Sequence, residues 1–353
     1  MEAGAGQRAG FPDAEYAERG VRVLEARAEV FASADVMLQV RALGANPDTG
    51  AEDLALLRRG QTWIGFGEPL TAIAAARTLA ECGVDFLAME LMPRITRAQG
   101  MDALSSMATI AGYKAVLIAA GALPRMFPML MTAAGTVTPA RVLIIGAGVA
   151  GLQAIATARR LGAVVSGYDV RTAVKEQIES LGARFVELDL DGGGAEDKSG
   201  YAKAMGEEFY RRQRDLLGAV LAEQQVVITT AAVPGRKAPI LITREMVARM
   251  APGSVIVDIA AERGGNCELT EPGQTVEWGG VEIAGPINLA STIPYHASQM
   301  YARNIATFLA HLVKDGRLAL DREDEIVRET LVTYQGDVVH PRVLEAMGAA
   351  HAL

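Results

Sequence analysis

The chain has 353 residues, of which half are hydrophobic and 22% are charged, and its formal net charge is −8. This length is too great for one typical hydrophobic core and suits two domains. The acidic balance argues against nucleic acid or an anionic membrane surface as the main partner. The two cysteines, Cys82 and Cys267, form no CxxC and no metal-ligand spacing, so we expect no disulfide scaffold, no metal site and a reducing cytoplasm.

The first residues and the most apolar stretch bear on targeting. Residues 1–14 are polar and Gly-rich and lack the apolar core of a secretory signal. The stretch 115–140 is interrupted by Pro124, Arg125 and Pro128, so it offers no run of about 20 apolar residues. We interpret it as a buried helix and connector, and we predict no direct membrane insertion.

The first third of the chain mixes helical and strand periodicity. Apolar spacing near 3.6 alternates with short apolar runs, which predicts a parallel sheet covered by helices on both faces. The predicted elements are, in order, helix 21–32, strand 36–40, helix 54–59, strand 63–66, helix 70–82, strand 86–89 and helix 97–120.

The pattern beyond residue 136 is cleaner. We predict strands at 141–145, 163–168, 184–187, 225–229 and 254–259, helices at 149–161, 173–180, 201–223 and 244–250, a hairpin at 275–283, and a helix at 295–314 before a charged tail. The fold class is therefore α/β, with two doubly wound Rossmann-like domains. Because helix 295–314 is long enough to carry the chain back, we assign 1–134 and 290–353 to a discontinuous first domain and 135–289 to the second.

A glycine-rich turn lies directly between the strand 141–145 and the next helix, and this context gives the motif GxGxxG its meaning. Gly146 permits a sharp turn, Gly148 lets the backbone approach a pyrophosphate, and Gly151 permits close packing of helix on sheet. The helix N-terminus offers unpaired N–H groups to the phosphates. The predicted phosphate cradle comprises Gly146, Ala147, Gly148, Val149 and Gly151.

An acidic residue follows at the spacing that a ribose site needs. Asp169 ends the next strand, 18 residues beyond Gly151, where a carboxylate accepts hydrogen bonds from ribose hydroxyls and repels a 2′-phosphate. We therefore predict that the site prefers NAD(H) over NADP(H), with Val170 and Arg171 also at the cofactor. We expect Arg171 to face the pyrophosphate or solvent. The alternative is a Gly-rich turn that binds nothing.

Four segments go beyond a generic dinucleotide-binding pattern: 92–112 (MPRITRAQGMDALSSMATIAG), 141–151 (RVLIIGAGVAG), 252–268 (PGSVIVDIAAERGGNCE) and 325–341 (EIVRETLVTYQGDVVHP). Together they resemble the NAD(H)-binding domain I, in its split-form alpha subunit, of proton-translocating NAD(P) transhydrogenase. That family is related to alanine dehydrogenase. The resemblance covers almost the whole chain.

The resemblance implies roles for particular residues. Four matched positions would hold the nicotinamide and its carboxamide: Arg94, Gln99, Asp102 and Ser105. Three further positions would contact the nucleotide: Tyr201 in a mobile loop, Gln213 in the helix after it, and Ala231 at a strand end. The alternative for the first group is a surface ion pair with helix-capping residues, and the alternative for Tyr201 is a half-buried helix tyrosine.

The resemblance also implies an activity and its partners. This subunit would pass hydride between NADH and NADP⁺ bound on a partner subunit. The partners would be NADP(H)-binding and membrane-spanning subunits, together with a second copy in a homodimer. The location would be cytoplasmic, peripheral on the cytoplasmic face of the inner membrane through those subunits.

Two other functions stay open from the residues. An alanine-dehydrogenase-like enzyme needs a proton carrier, typically His, yet no His lies between residues 1 and 291, and the segment 63–69 (WIGFGEP) near that family's His position has none. That family's Asp would be Glu262 here, which either shapes the pocket or forms a salt bridge, and Arg41 stands near a substrate-binding Lys. The family's opening strand and helix do not precede the turn at 9–12, so we expect either a misplaced start codon or an N-terminally shortened first domain. A truncated, non-catalytic NAD-binding protein is therefore the third possibility.

Overall fold

The computed structural model describes residues 1–188, 207–232, 235 and 237–351. The chain divides into two compact units: unit 1 is Met1–Met107 with Ile293–Leu353, and unit 2 is Ala108–Thr292. Unit 1 is therefore discontinuous in sequence. The first boundary between the units falls inside a helix, whereas the sequence pattern puts it at residue 134, and the domain boundaries stay a prediction.

Strands and helices alternate along both units. The strands in chain order are β1 Val36–Arg41, β2 Thr62–Phe66, β3 Asp85–Ala88, β4 Leu130–Thr132, β5 Gly135–Val137, β6 Arg141–Ile145, β7 Val164–Tyr168, β8 Arg184–Phe185, β9 Val226–Thr229, β10 Val255–Asp258, β11 Thr275–Trp278, β12 Val281–Ala284, β13 Val313–Lys314, β14 Arg317–Leu318, β15 Leu331–Tyr334 and β16 Asp337–Val338. The α-helices are α1 Asp13–Glu18, α2 Arg27–Ser33, α3 Ile73–Glu81, α4 Ala103–Ala122, α5 Val149–Arg160, α6 Lys175–Ser180, α7 Glu207–Leu221, α8 Arg244–Val247, α9 Pro294–Leu312, α10 Glu325–Thr330 and α11 Pro341–His351.

The sheet of unit 1 has the strand order β1-β2-β3-β15-β16 among the described residues. Strands β1, β2 and β3 are parallel, as predicted, whereas β15 pairs antiparallel with β3. Neighbouring residues of one strand enter different cores: Trp63 packs with Phe31, and Ile64 packs with Phe308. Both faces of this sheet are therefore covered, which is the arrangement that the short apolar runs predicted.

The sheet of unit 2 has the order β11-β12-β10-β9-β6-β7-β8 within the described part of the chain, and its pairings are parallel except for the β11–β12 hairpin. Val142 and Ile144 face one core, and Leu143 and Ile145 face the other. The chain enters at β6, builds outward to β8, and then returns to β9 on the other side of β6. The carboxyl ends of β6 and β9 thus form the topological switch point at which such sheets bind ligands.

The helix predicted at 97–120 has a different beginning. A 3₁₀ helix occupies Thr96–Met101, and α4 begins only after Asp102. Of the helices within the described ranges, α4 is the one long and apolar enough to cross a membrane. That is weak evidence, because core helices have the same composition, and Ala115 and Val116 are fully buried in the core. The absence of membrane insertion stays a prediction.

Candidate functional site

The glycine-rich turn has the geometry that its spacing predicts. Gly146 follows β6 at a φ of +96°, a conformation that favours glycine. A Cβ on Gly151 would lie 1.8 Å from the carbonyl oxygen of Gly146, so the turn and the first turn of α5 touch through backbone alone. Between them Gly148 is the N-cap residue of α5, with no side chain capping the helix.

The turn fits a dinucleotide pyrophosphate. A Cβ built on Gly148 would meet no atom within 4 Å, so the backbone here borders open space. The N-terminal N–H groups of α5 have no side-chain cap and are available to an anion. Ala147 is buried within the turn, and Val149, the first residue of α5, is partly exposed.

Asp169 lies at the carboxyl end of β7, beside the turn. Its Oδ2 accepts a hydrogen bond from the Ala147 N–H at 2.7 Å, which ties the acid to the glycine-rich turn. The residue is 8% exposed. The spacing of 18 residues therefore produces a direct contact between the acid and the glycine-rich turn.

Arg171 does not face the pyrophosphate or solvent, contrary to our expectation. Its Nε and Nη2 donate to Oδ1 and Oδ2 of Asp169 at 2.9 and 2.8 Å, and its backbone N–H also donates to Oδ1 at 2.9 Å. A guanidinium two residues from a carboxylate can form this bidentate ion pair within the same loop. Val170, between them, is half-buried and packs against the core behind β7.

Gln213 is buried in unit 2, behind the acid. It is 1% exposed, and its Nε2 donates to the hydroxyl of Tyr168 at 2.8 Å. Tyr168 directly precedes Asp169, so Gln213 braces the strand that presents the acid. A direct contact between Gln213 and the nucleotide stays a prediction. Tyr201 lies outside the described residues.

Ala231 is held by a side chain that the sequence analysis did not assign. Asn266 accepts from the Ala231 N–H through Oδ1 at 3.0 Å and donates through Nδ2 to the Ala231 carbonyl at 2.8 Å. This side chain pairs with the backbone as a neighbouring strand would. Ala231 follows β9 at the switch point, so Asn266 fixes backbone at the sheet edge where ligands bind.

Asp258, at the end of β10, organises the loop that carries Asn266. It is fully buried and accepts five hydrogen bonds at 2.6–3.0 Å, from the backbone N–H groups of Ala260, Asn266 and Cys267 and the hydroxyls of Thr229 and Thr270. Asp258 could have been identified from the sequence, because it is an acid at the carboxyl end of a parallel strand, as Asp169 is. Glu262, in the same loop, is exposed and accepts from the backbone N–H of Asn288.

The four residues predicted at the nicotinamide lie in one short stretch of unit 1. Arg94 and Gln99 are exposed, and Gln99 lies on the 3₁₀ helix. Asp102 caps α4, since its Oδ1 accepts from the Ser105 N–H at 2.8 Å and its Oδ2 from the Ser105 hydroxyl at 2.6 Å. The structure thus shows the helix-capping contacts of the alternative interpretation, and the nicotinamide role stays a prediction.

The segment after β2 contains no histidine. The backbone N–H groups of Gly67 and Glu68 both donate to Oε1 of Glu90, at 2.7 and 2.5 Å. The other oxygen, Oε2, is buried without a hydrogen-bond partner. Burial raises the pKa of Glu90 to about 7, although the two backbone donors oppose the shift.

Glu90→Gln is expected to remove a pH dependence of stability. The pKa of Glu90 in the folded protein, about 7, exceeds its ordinary value of 4.5. The stability that this carboxyl contributes is therefore fully present below pH 4.5 and is lost as the pH rises through 7. The free energy of unfolding of the parent should fall, relative to E90Q, by about 2–3 kcal/mol between pH 4.5 and 8. Urea titrations across this range measure the difference. Glu81→Gln, an exposed change at the end of α3, is the control, and parallel profiles for the parent and E90Q would contradict the assignment.

Among the described residues, no group of three or more His, Cys, Asp or Glu side chains is placed to hold a metal ion. The polar groups gathered at the carboxyl edge of unit 2 are instead Asp169, the N-terminus of α5 and the backbone at Ala231. This arrangement suits an anionic dinucleotide with ribose hydroxyls.

Comparison with known families agrees with this geometry. Residues 1–111 match the family model "Alanine dehydrogenase/PNT, N-terminal domain", and residues 115–341 match "Alanine dehydrogenase/PNT, C-terminal domain". The two matches together span most of the chain.

Individual relatives carry two kinds of name. A protein of Rhodospirillum rubrum, named as the first part of an NAD(P) transhydrogenase subunit alpha, is 46% identical over 99% of this chain and 91% of its own length. The crystal structure of transhydrogenase from Sinorhizobium meliloti is 48% identical with a TM-score of 0.85, over 96% of this chain and 90% of that one. An alanine dehydrogenase of Halomonas elongata is 30% identical over 99% of this chain and 88% of its own length.

Proposed function

Because the chain belongs to the alanine dehydrogenase/PNT family, we propose that it is the NAD(H)-binding subunit of a proton-translocating NAD(P) transhydrogenase. The observation that carries the proposal is the turn at Gly146–Gly151, with open space beside Gly148 and Asp169 bonded to Ala147. Two relatives of the chain with transhydrogenase names support transhydrogenation as the activity within this family.

Residues of unit 2 would hold the dinucleotide. The N-terminus of α5 and the backbone at Gly148 would bind the pyrophosphate, and Asp169 would accept from the adenosine ribose hydroxyls. The carboxylate disfavours a 2′-phosphate, so we propose NAD(H) rather than NADP(H) as the ligand. Ala231, held by Asn266, would present backbone to a ribose, and Tyr201 and Gln213 would follow the family's pattern.

Residues of unit 1 would orient the nicotinamide ring. The bound nucleotide supplies a hydride at C4 of this ring, and no proton moves with it. The protein therefore needs no acid or base but must fix the ring plane, because transfer requires the reacting atoms about 3–3.5 Å apart and aligned. A carboxamide offers one acceptor and two donors, which Arg94, Asp102 and Ser105 can satisfy. Gln99 would bond the same region or the incoming ring.

The proposal extends to assembly. The chain would work with a separate NADP(H)-binding subunit and a membrane-spanning subunit that couples hydride transfer to proton movement. It would form a homodimer and lie at the cytoplasmic face of the inner membrane through those partners. All of these features follow from the resemblance to the split-form alpha subunit.

An alanine-dehydrogenase-like activity is the second candidate, favoured by the 30% identity to an enzyme of that name. Oxidation of an amine to a keto acid requires a proton carrier. The typical carrier is His, and the chain has no His before residue 296. The absence of His from this part of the chain favours transhydrogenation.

One experiment separates the candidates. NADH binding to the purified chain is measured first, and hydride transfer to an NADP⁺ analogue is then followed after a family NADP(H)-binding component is added. Transfer that requires both proteins supports the proposal. Turnover of alanine and NAD⁺ by this chain alone would replace it with a dehydrogenase. Tight NADH binding with neither reaction would identify a non-catalytic NAD-binding protein.

Asp102→Asn is expected to slow hydride transfer about 10- to 100-fold while changing the Kd for NADH less than about threefold. The amide keeps one acceptor oxygen for the Ser105 N–H but loses the charge and offers donors to the carboxamide. Stopped-flow transfer rates and NADH titrations measure the two effects. Thr243→Ala, which removes the side-chain cap of α8 in unit 2, controls for loss of a cap. An unchanged transfer rate in D102N would remove Asp102 from the site.

A further inference from the structure

We propose that Arg171 determines nucleotide affinity and specificity by occupying the acceptor positions of Asp169 that a ribose requires. This inference rests on the proposed function, because it takes Asp169 as the ribose acceptor. It assigns to Arg171 a role opposite to that of a nucleotide contact: its guanidinium competes with the ligand.

The carboxylate of Asp169 accepts four hydrogen bonds from residues that the structure describes. A carboxylate has about four acceptor positions, and those of Asp169 are filled. Oδ1 accepts from the backbone N–H and the Nε of Arg171, both at 2.9 Å, and Oδ2 accepts from the Ala147 N–H at 2.7 Å and from Arg171 Nη2 at 2.8 Å. Ribose hydroxyls can therefore reach Asp169 only if a present donor leaves.

The side chain of Arg171 is the donor that can leave. The Ala147 and Arg171 N–H groups belong to the turn and to the loop after β7, so their withdrawal would require movement of the backbone. The guanidinium is reached through rotatable bonds, and its side chain is 13% exposed against 5% for that of Asp169. The two side-chain bonds, Nε to Oδ1 and Nη2 to Oδ2, therefore mark the two positions that a pair of hydroxyls would take over.

The pair also changes the charge that the ligand meets. With the guanidinium attached, the site is close to neutral, so a 2′-phosphate is repelled less than by a bare carboxylate and finds a cation beside it. Arg171 thus makes NADH compete for Asp169 and at the same time lowers the barrier to NADPH. Removal of the guanidinium should tighten NADH binding and widen the discrimination.

The test compares Arg171→Ala with Arg171→Lys by isothermal titration of the full chain with NADH and NADPH. R171A should lower the Kd for NADH about 3- to 10-fold, the range expected when a charge-assisted competitor is removed, and should raise the Kd for NADPH. R171K keeps the positive charge but cannot form the bidentate pair. NADH binding should therefore tighten less than in R171A, and NADPH binding should change little. Melting of each nucleotide-free variant checks that it is folded.

Arg141→Ala is the matched control. It removes one positive charge and one ion pair, Arg141 with Glu223, at the amino end of β6, the opposite edge of the same sheet. Both Kd values should be unchanged. Weaker NADH binding by R171A, or an unchanged ratio of the two Kd values, would overturn the inference while the proposed function stands. A parent chain that binds neither nucleotide would reject the proposed function and this inference with it.

Discussion

Gly148→Ala is expected to raise the Kd for NADH about 100-fold or more while the free energy of unfolding changes by less than about 1 kcal/mol. The backbone at Gly148, with φ −75° and ψ −170°, is open to any residue. A Cβ there meets no protein atom within 4 Å. The methyl group would instead occupy the space through which the pyrophosphate approaches the N-terminus of α5. Titration of NADH fluorescence and urea unfolding of the same samples measure the two quantities.

Gly151→Ala is the matched variant in the same turn, with the opposite physics. Its Cβ would lie 1.8 Å from the Gly146 oxygen, so backbone must move, and the free energy of unfolding should fall by more than about 2 kcal/mol. G151A should therefore lose binding together with stability, whereas G148A should lose binding alone. NADH affinity of G148A equal to that of the parent would show that this turn does not receive the pyrophosphate.

Asp258→Ala should lower the free energy of unfolding of unit 2 by about 3–5 kcal/mol. The carboxylate is fully buried, and its removal leaves three backbone N–H groups and two hydroxyls without their acceptor. Asn266 would lose its anchor, so the backbone at Ala231 should become mobile and NADH binding should weaken as well. Chemical unfolding followed by circular dichroism, with NADH titration of the folded fraction, measures both effects.

Thr270→Val is the graded control for the same network. It deletes one donor, the hydroxyl 2.6 Å from Asp258 Oδ2, and keeps the shape of the side chain, so a loss of about 1–2 kcal/mol is expected. If D258A unfolds no more easily than T270V, Asp258 does not organise the loop, and Asn266 must be held in another way.

The dinucleotide turn could be predicted from sequence because its determinants are local. The mostly apolar run from Arg141 to Ile145 is followed directly by Gly146, and β6 has these bounds in the structure. The glycines need only their own backbone geometry, and Asp169 needs only a strand of standard length after α5. Periodicity also located α9 and the β11–β12 hairpin to within a few residues.

Interactions between distant segments could not be predicted in this way. The pairing of β15 with β3 joins residues more than 240 positions apart. The four residues of β15 lie in a stretch whose sequence predicts a charged tail. Apolar periodicity continued through Asp102 and hid the break between the 3₁₀ helix and α4. The ion pair between Arg171 and Asp169 depends on side-chain rotamers, which residue spacing does not predict.

The pairing of β15 with β3 also sets an order of events during synthesis. The ribosome makes β3 first, then the whole of unit 2, and only then the strand that lies next to β3. At 5–20 residues per second, on the order of ten to fifty seconds separate the synthesis of β3 from that of β15. Its unpaired edge and the apolar faces of the first three strands are aggregation-prone during that interval. Unit 2, an uninterrupted segment, can complete its own core meanwhile, and the nascent chain would carry a finished nucleotide domain before the domain that begins at its N-terminus can close.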